Sequence, residues 1–313
     1  MFEIKRYEPS HEQAWNDFVT RSKNGTFLFD RRFMDYHSDR FADSSLMILR
    51  KGRIYALLPA NRVGDTLHSH QGLTYGGLLT DAKATAEGVM EAFGTLNASL
   101  RNEGVRRVTY KAMPWIYHRL PAEEDLYALT QVCHARLLTR EISSTILLQQ
   151  PLRFTESRKS GLRKALREGL YMEESGDLAA FWQMLDDNLA SRHHTHPVHS
   201  LDELRLLQGR FPQQIHLYLI YNKEKEPVGG TWVFDTGQVV HTQYIASTEE
   251  GKAHGALDLL FDELINRRYR EGIYLDFGKS TEEGGRVLNE HLIFQKEGFG
   301  GRGVCYDTYE WEP

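Results

Sequence analysis

The chain has 313 residues, 41% of them apolar and 26% charged, with a formal net charge of −5. One hydrophobic core seldom grows past about 250 residues, so this length favours two domains. The composition excludes general disorder, and the charge excludes a chain coated in basic residues for nucleic acid, so no DNA partner is expected. Cys133 and Cys305 lie far apart without a Cys-x-x-Cys partner. That pattern removes a disulfide framework and a cysteine-rich zinc site, and it suits a reducing cytoplasm. No run approaches the ~20 apolar residues that span a bilayer. Glu3 and Lys5 carry charge where a signal peptide needs an apolar stretch. The expectation is a cytoplasmic protein with no transmembrane segment.

In chain order, "SLMILRKGRIYALLPA" reads as two strands joined by a Lys51-Gly52 turn. "DTLHSHQGLTYGGLLTD" is a strand followed by a glycine-rich loop. A helical pattern from about Ala84 to Asn102 ends at Glu103-Gly104 and leads into the strand "VRRVTYKA". A shorter helix, about Glu123 to His134, and the strand "LLTREISSTILLQ" complete the first half. The second half repeats this order. "IHLYLIYNKEKEPVGGTWVFD" gives strand, turn and strand, and "QVVHTQYIAS" a third strand. A helix from about Ala253 to Arg270 ends at Glu271-Gly272 and leads into "IYLDFGKS". A helix from about Gly284 to Lys296 and the strand "GRGVCYDTYEWE" close it. Glycine suits each helix end because it enters the left-handed conformation without a side-chain clash. Six elements repeated in order indicate two copies of one α/β unit, 1–150 and 151–313.

Between the copies lies "PLRFTESRKSGLRKALREG", a helix with Leu162, Ala165 and Leu166 on one stripe. Arg158, Lys159, Arg163, Lys164 and Arg167 fill the rest. This is either a solvated basic face or a cradle for phosphates. Further on, "SRHHTHPVHS" holds His193, His194, His196 and His199 before a helix capped by Ser200, with Glu203 completing a capping box. Pro197 breaks helical continuity, so helix-borne zinc spacings are absent and no metal site is expected. A loop of neutral imidazoles near pH 7 remains, either a polar surface loop or a cleft loop.

The order of strands, long helix, strand, helix and strand resembles the GNAT acyltransferase fold. Two copies joined by "RKSGLRKALREG" resemble the FemAB-like double-GNAT proteins, as do "QYIASTEEGKAHGALDLLFDELI", "GIYLDFGKST" and "FQKEGFGG". The resemblance runs from about Leu46 to the end. It implies an α/β (α+β) fold of tandem GNAT-like domains, each a mixed, mainly antiparallel sheet flanked by helices. The first domain would lie on the acceptor side and the second would carry donor and transfer chemistry. It implies an N-acyltransferase moving an acyl or aminoacyl group from an activated donor to a small-molecule or peptide amine. Acyl-CoA or aminoacyl-tRNA would be the co-substrate, with no tightly bound cofactor. The family's best-known members extend the peptide of a cell-wall precursor from aminoacyl-tRNA. The long paired-helix arm that these tRNA users often carry is not visible here. Two alternatives stay open: a CoA-dependent N-acetyltransferase of a small amine, and a ligand-binding GNAT-fold protein without turnover.

The resemblance places donor binding at Ile245 and Ala246 and in "EEGKAHGALDLL", where Gly251, Ala253 and Gly255 fit shifted registers of a pyrophosphate loop. Free N–H groups at a helix start favour an anion, but the leading Arg or Gln is missing and Glu249 and Glu250 add negative charge. Tyr244 is the candidate proton donor to the leaving group, with ordinary strand packing as the alternative. His196 and His199 are the candidates for acceptor binding or proton removal. Gly278, Lys279 and Ser280 sit just past a strand end, where ligands gather in open α/β sheets, unless Ser280 or Thr281 simply caps the next helix. Lys296 resembles a family position near the substrate cleft, though a helix-end lysine also suits the dipole. Tyr75, with Gly76 and Gly77, is placed on the acceptor side. Arg158, Arg163 and Lys164 would meet a phosphate-bearing substrate.

Overall fold

The computed structural model describes residues 1–193 and 196–313. In chain order, β1 (Phe2–Arg6), α1 (Glu12–Arg21) and α2 (Arg31–Met34) lead into the strands β2 (Leu46–Arg50) and β3 (Arg53–Leu58). Next come β4 (Asn61–Val63), β5 (Thr66–His68), β6 (Leu79–Thr80), α3 (Ala86–Asn102) and β7 (Arg107–Lys111). These are followed by α4 (Glu124–Gln131), β8 (Arg136–Leu147), α5 (Glu156–Glu168), β9 (Tyr171–Glu174), α6 (Leu178–His193) and α7 (Leu201–Arg210). Three long strands, β10 (Ile215–Tyr221), β11 (Pro227–Asp235) and β12 (Val239–Ser247), precede α8 (Glu249–His254) and α9 (Ala256–Glu263). The chain finishes with β13 (Tyr274–Lys279), β14 (Thr281–Glu282), β15 (Val287–Leu288), α10 (Glu290–Gly298) and β16 (Arg302–Trp311).

These elements divide into two compact units. One holds Met1–Glu141, Thr281–Val287 and Cys305–Pro313, and the other holds Ile142–Ser280 and Leu288–Val304. In the first unit, α3 buries Val89, Ala92, Phe93, Leu96 and Leu100, the stripe that a 3.6-residue period puts on one face. Thr85 starts this helix by accepting a hydrogen bond from Gly88 N, and Gly104 follows its end at φ +74°. The stripe packs on Val108 and Tyr110 of β7 and on Trp311, whose indole N–H donates to Asn97. β16 pairs antiparallel with β7 here, Thr308 opposite Lys111 and Trp311 opposite Val108. From Cys305 onward, then, the last strand belongs to the first unit, whereas a linear reading of the repeat puts it in the second.

The second unit is a sheet in the order β8-β13-β12-β11-β10-β9, with β12 and β13 parallel and its other pairs antiparallel. A parallel pair needs a crossover connection, supplied by α8 and α9. In the first unit α3 lies between the parallel strands β5 and β7 in the same way. The first unit divides its strands between an antiparallel sheet, β1-β2-β3-β6, and the mixed set β4-β5-β7-β16, so the mixed, mainly antiparallel sheet with flanking helices that the resemblance implied is present in both copies.

Two expected helices are shorter in the structure. The pattern from Ala253 breaks at Gly255, which adopts φ +78° and separates α8 from α9; a π-helical stretch, Leu264–Arg268, then ends it. Gly255 cannot carry a side chain, because a Cβ would lie 2.4 Å from the Gly161 carbonyl oxygen of α5. The helix expected from Gly284 starts only at Glu290, because Gly284 and Gly285 take φ of +64° and +89°. Asn289 caps it by accepting from Leu292 N, so neither Ser280 nor Thr281 is that cap. Among the described residues, no helix is long and apolar enough to cross a membrane.

Gly255→Ala joins left-handed strain to a backbone clash, so a loss of at least about 2 kcal/mol is expected. Thermal unfolding should show a midpoint lower by roughly 5 °C or more. Gly94→Ala, at a helical position with open space around it, should change the midpoint little.

Candidate functional site

β12 and β13 pair over only three positions, ending at His241 opposite Asp276. β12 then runs on to Ser247 and β13 to Lys279 without further pairing to each other. Local sequence explains the parting on both sides. β12 carries one extra residue, Gln243, between Thr242 and Tyr244, and such a bulge bends and twists its strand. β13 turns at Gly278, which adopts φ +74°. A cavity of about 160 Å³ opens in the gap, walled by Ile245, Ala246 and Ser247 of β12 and Phe277 of β13. Residues of α9 and α10, among them Phe261 and Lys296, close it.

At the fork where the strands separate, the Asp276 side chain is fully buried. Its Oδ1 accepts from Ser143 Oγ and, at 2.8 Å, from Thr145 Oγ1, both on β8. Its Oδ2 lies 2.9 Å from His241 Nδ1. A buried carboxylate with hydroxyl donors orients that imidazole so that Nδ1–H donates and Nε2 is left as the basic nitrogen.

Lys296 is 5% exposed, unusual for a lysine. Its Nζ donates to Gly278 O (2.8 Å), Lys279 O (2.9 Å) and Ser280 Oγ (2.9 Å). Those three acceptors match the three protons of an ammonium, and they tie α10 to the end of β13. Burial lowers its pKa to about 8, while the Asp276 carboxylate acts to raise it. Lys279 points to solvent, whereas Ser280 is buried as a partner of Lys296.

Tyr244 lies on the other face of β12 from Ile245. There the Trp232 ring stacks on it with centroids 6.1 Å apart, and His199 meets both rings edge-on. Tyr244 Oη and His199 Nδ1 are 2.5 Å apart. His199 is held by a capping box, in which Ser200 and Glu203 exchange hydrogen bonds, and by Trp182 Nε1, which donates to its carbonyl at 3.0 Å. Burial pushes the Tyr244 pKa up to about 12, against hydrogen bonds from His199 and Gln243 that lower it. At neutral pH this phenol keeps its proton.

Other candidate residues are placed differently. Gly251 N donates to Thr248 Oγ1, the N-cap of α8, and a Cβ on Gly251 would lie 1.9 Å from Val228 O. Gly251 and Gly255 therefore serve close packing, and Ala253 is exposed. Arg158 forms an ion pair with Asp258 at 3.0 Å and lies over the Phe299 ring, while Arg163 points to solvent and Lys164 is half-buried. His196 Nδ1 is 2.6 Å from Asp186 Oδ1 on an exposed stretch, and His194 lies outside the described residues. Tyr75 is 2% exposed; its hydroxyl donates to Thr26 and its ring packs on Phe29 and Tyr117. Far from lining a cleft, it belongs to the core. Gly76 has room for no Cβ, with Ser69 O at 1.9 Å, and Gly77 adopts φ +95°. Among the described residues no cluster of His, Cys, Asp and Glu could hold a metal ion.

Asp276 and His241 escaped the sequence reading, although an aspartate between Leu275 and Phe277 in an apolar strand was a usable signal. Such a residue must find buried donors or titrate.

Residues 155–284 match the family model described as "Acetyltransferase (GNAT) domain". The solved structure of FemX superposes with a TM-score of 0.68 at 11% identity, covering 99% of this chain and 97% of that one. Residues 155–284 are a GNAT domain, and the whole chain shares its fold with FemX. L-PGS from Bacillus licheniformis is similar in fold at TM-score 0.62 and 13% identity, covering 97% of this chain and 92% of that one. A tandem GNAT protein from the clavulanic acid biosynthesis pathway has a TM-score of 0.51 at 12% identity, covering 100% and 98%. No curated protein matches the sequence. The matched GNAT domain contains the fork, β12 and β13.

The lowered Lys296 pKa has a signed consequence. Between about 8 in the fold and the ordinary value of 10.5, the unfolded chain binds the extra proton, so this lysine's contribution to stability rises with pH. Relative to Lys296→Met, the native protein should gain up to about 1.4 kcal/mol per pH unit in that window. Urea unfolding at several pH values reads the difference.

Proposed function

We propose that the gap between β12 and β13 holds the acyl end of an activated donor and that the reaction is transfer of this acyl group to an amine. The observation that carries the reading is the cavity itself, formed where two parallel strands part and bordered by a buried lysine. The neutral amine attacks the carbonyl carbon of a thioester or ester. The new C–N bond forms, the C–S or C–O bond breaks, and the proton lost by the amine ends on the leaving thiolate or alkoxide. No protein nucleophile is needed.

Two groups flank this point. The Lys296 ammonium sets a positive charge beside the cavity, where negative charge grows on the carbonyl oxygen. Tyr244, protonated at neutral pH, hands its proton to the leaving group and regains one through His199 as the amine nitrogen loses its own, so that one proton passes in net from amine to leaving group. The edge of β12 that β13 leaves unpaired past His241 supports both roles, since Ile245 on one face of that strand lines the cavity and Tyr244 on the other meets His199. The acceptor is a small-molecule or peptide amine.

The donor is read from α8. Gly251 N is committed to Thr248, and Glu249 and Glu250 occupy the first turn. This arrangement supports a donor whose pyrophosphate is not gripped there. Acyl-CoA used weakly, an acyl ester, or aminoacyl-tRNA all remain compatible with it.

Transfer assays pairing acyl-CoA and aminoacyl-tRNA donors with a panel of amines, read by mass spectrometry, test the proposal. Tyr244→Phe should lower kcat by about 100-fold with KM little changed, the usual scale for losing a general acid. Wild-type turnover that both Tyr244→Phe and Lys296→Met leave untouched would remove these groups from the reaction. Absence of transfer from every donor would favour a binding protein.

A further inference from the structure

We propose that the acyl group taken by the cavity between β12 and β13 is apolar and of about six-carbon or phenyl size, rather than acetyl or aminoacyl. This inference rests on the acyl-transfer reading above and names its substrate class.

The first argument is volume. The cavity measures about 160 Å³, and an apolar cavity of roughly 150 Å³ is large enough for benzene. An acetyl group would leave most of it unfilled.

The second argument is the wall. Phe261, Phe277 and Phe299 form one aromatic surface, with ring centroids 4.8, 4.9 and 5.9 Å apart. Leu257, Leu292 and Ile245 complete the apolar lining. Rings packed against one another in this way form a fixed wall, which suits a ligand of defined size.

The third argument is what the polar atoms on the wall are doing. All three Lys296 protons go to protein acceptors. Asn188 Nδ2 donates to Met184 O and Ser247 O, Ser247 Oγ donates to Val228 O, and Lys252 is paired with Glu249. Among the polar side chains on the wall, only the Gln295 amide has no hydrogen bond to a described residue, enough to meet one carbonyl. An aminoacyl ammonium would be desolvated beside the Lys296 charge with no carboxylate on the wall. That burial is costly, whereas a hydrocarbon chain requires no partner.

The test uses the full chain and S-acyl-N-acetylcysteamine thioesters as probes: acetyl, butanoyl, hexanoyl, dodecanoyl, phenylacetyl and glycyl. Calorimetric titration should show affinity rising roughly fourfold per methylene from acetyl to hexanoyl. Phenylacetyl should match hexanoyl, dodecanoyl should gain nothing more, and glycyl should bind no better than acetyl. Leu257→Trp fills the cavity from α9 and should flatten the series. Leu292→Phe does the same from α10, should the first variant fold poorly. Affinity independent of chain length, glycyl binding as tight as hexanoyl, or no binding by any thioester would overturn the assignment. So would a folded filling variant that keeps the full series. The transferase reading fails separately: a clean chain-length series without transfer to any amine sinks turnover but keeps the cavity. Transfer with a flat series sinks only the acyl-size assignment.

Discussion

One buried carboxylate organises the second unit. Asp276 lies at the last rung shared by β12 and β13, and its oxygens meet Ser143, Thr145 and His241. A charge so far from water survives only when donors surround it. Those donors come from the strands on both sides of β13, so the carboxylate ties β8, β13 and β12 together at the point where pairing stops. It also lies near Lys296 and favours that residue's charged form. The rung at which pairing stops and the positive charge beside the cavity are thus both tied to one carboxylate.

Glycine geometry does the remaining work. Gly278 turns the end of β13 so that its carbonyl and the next one face Lys296. Gly251 and Gly255 let α8 and α9 approach β11 and α5 more closely than any side chain permits. In a related fold these positions suggest a loop for pyrophosphate, but here they are filled by the protein's own packing. The first turn of α8 carries Glu249 and Glu250 beside that packing, and the proposed donor contact is accordingly the acyl end.

Tyr244 and His199 were both visible as candidates, but for separate reasons and without a link between them. The structure brings them to 2.5 Å across 45 residues of sequence. Tyr75 shows the opposite outcome. Its glycine-rich surroundings read as a cleft, yet those glycines permit the chain to fold tightly around a core ring. Bare backbone marks close approach, and sequence does not say whether a ligand or the protein itself approaches.

The sequence by itself determined the local elements. The period of α3, the Thr85 and Ser200 caps, the Gly104 stop and the apolar strands all follow from forces that act within a few residues. The order in which those elements repeat also carried the double-GNAT architecture. Only the tertiary structure decided which unit holds β16, because strand pairing depends on a partner edge far away in the chain. It alone decided the surroundings of Asp276 as well, whose hydroxyl partners lie 131 and 133 residues away. A buried charge announces that it needs donors, but their identity is fixed only when the chain closes on itself.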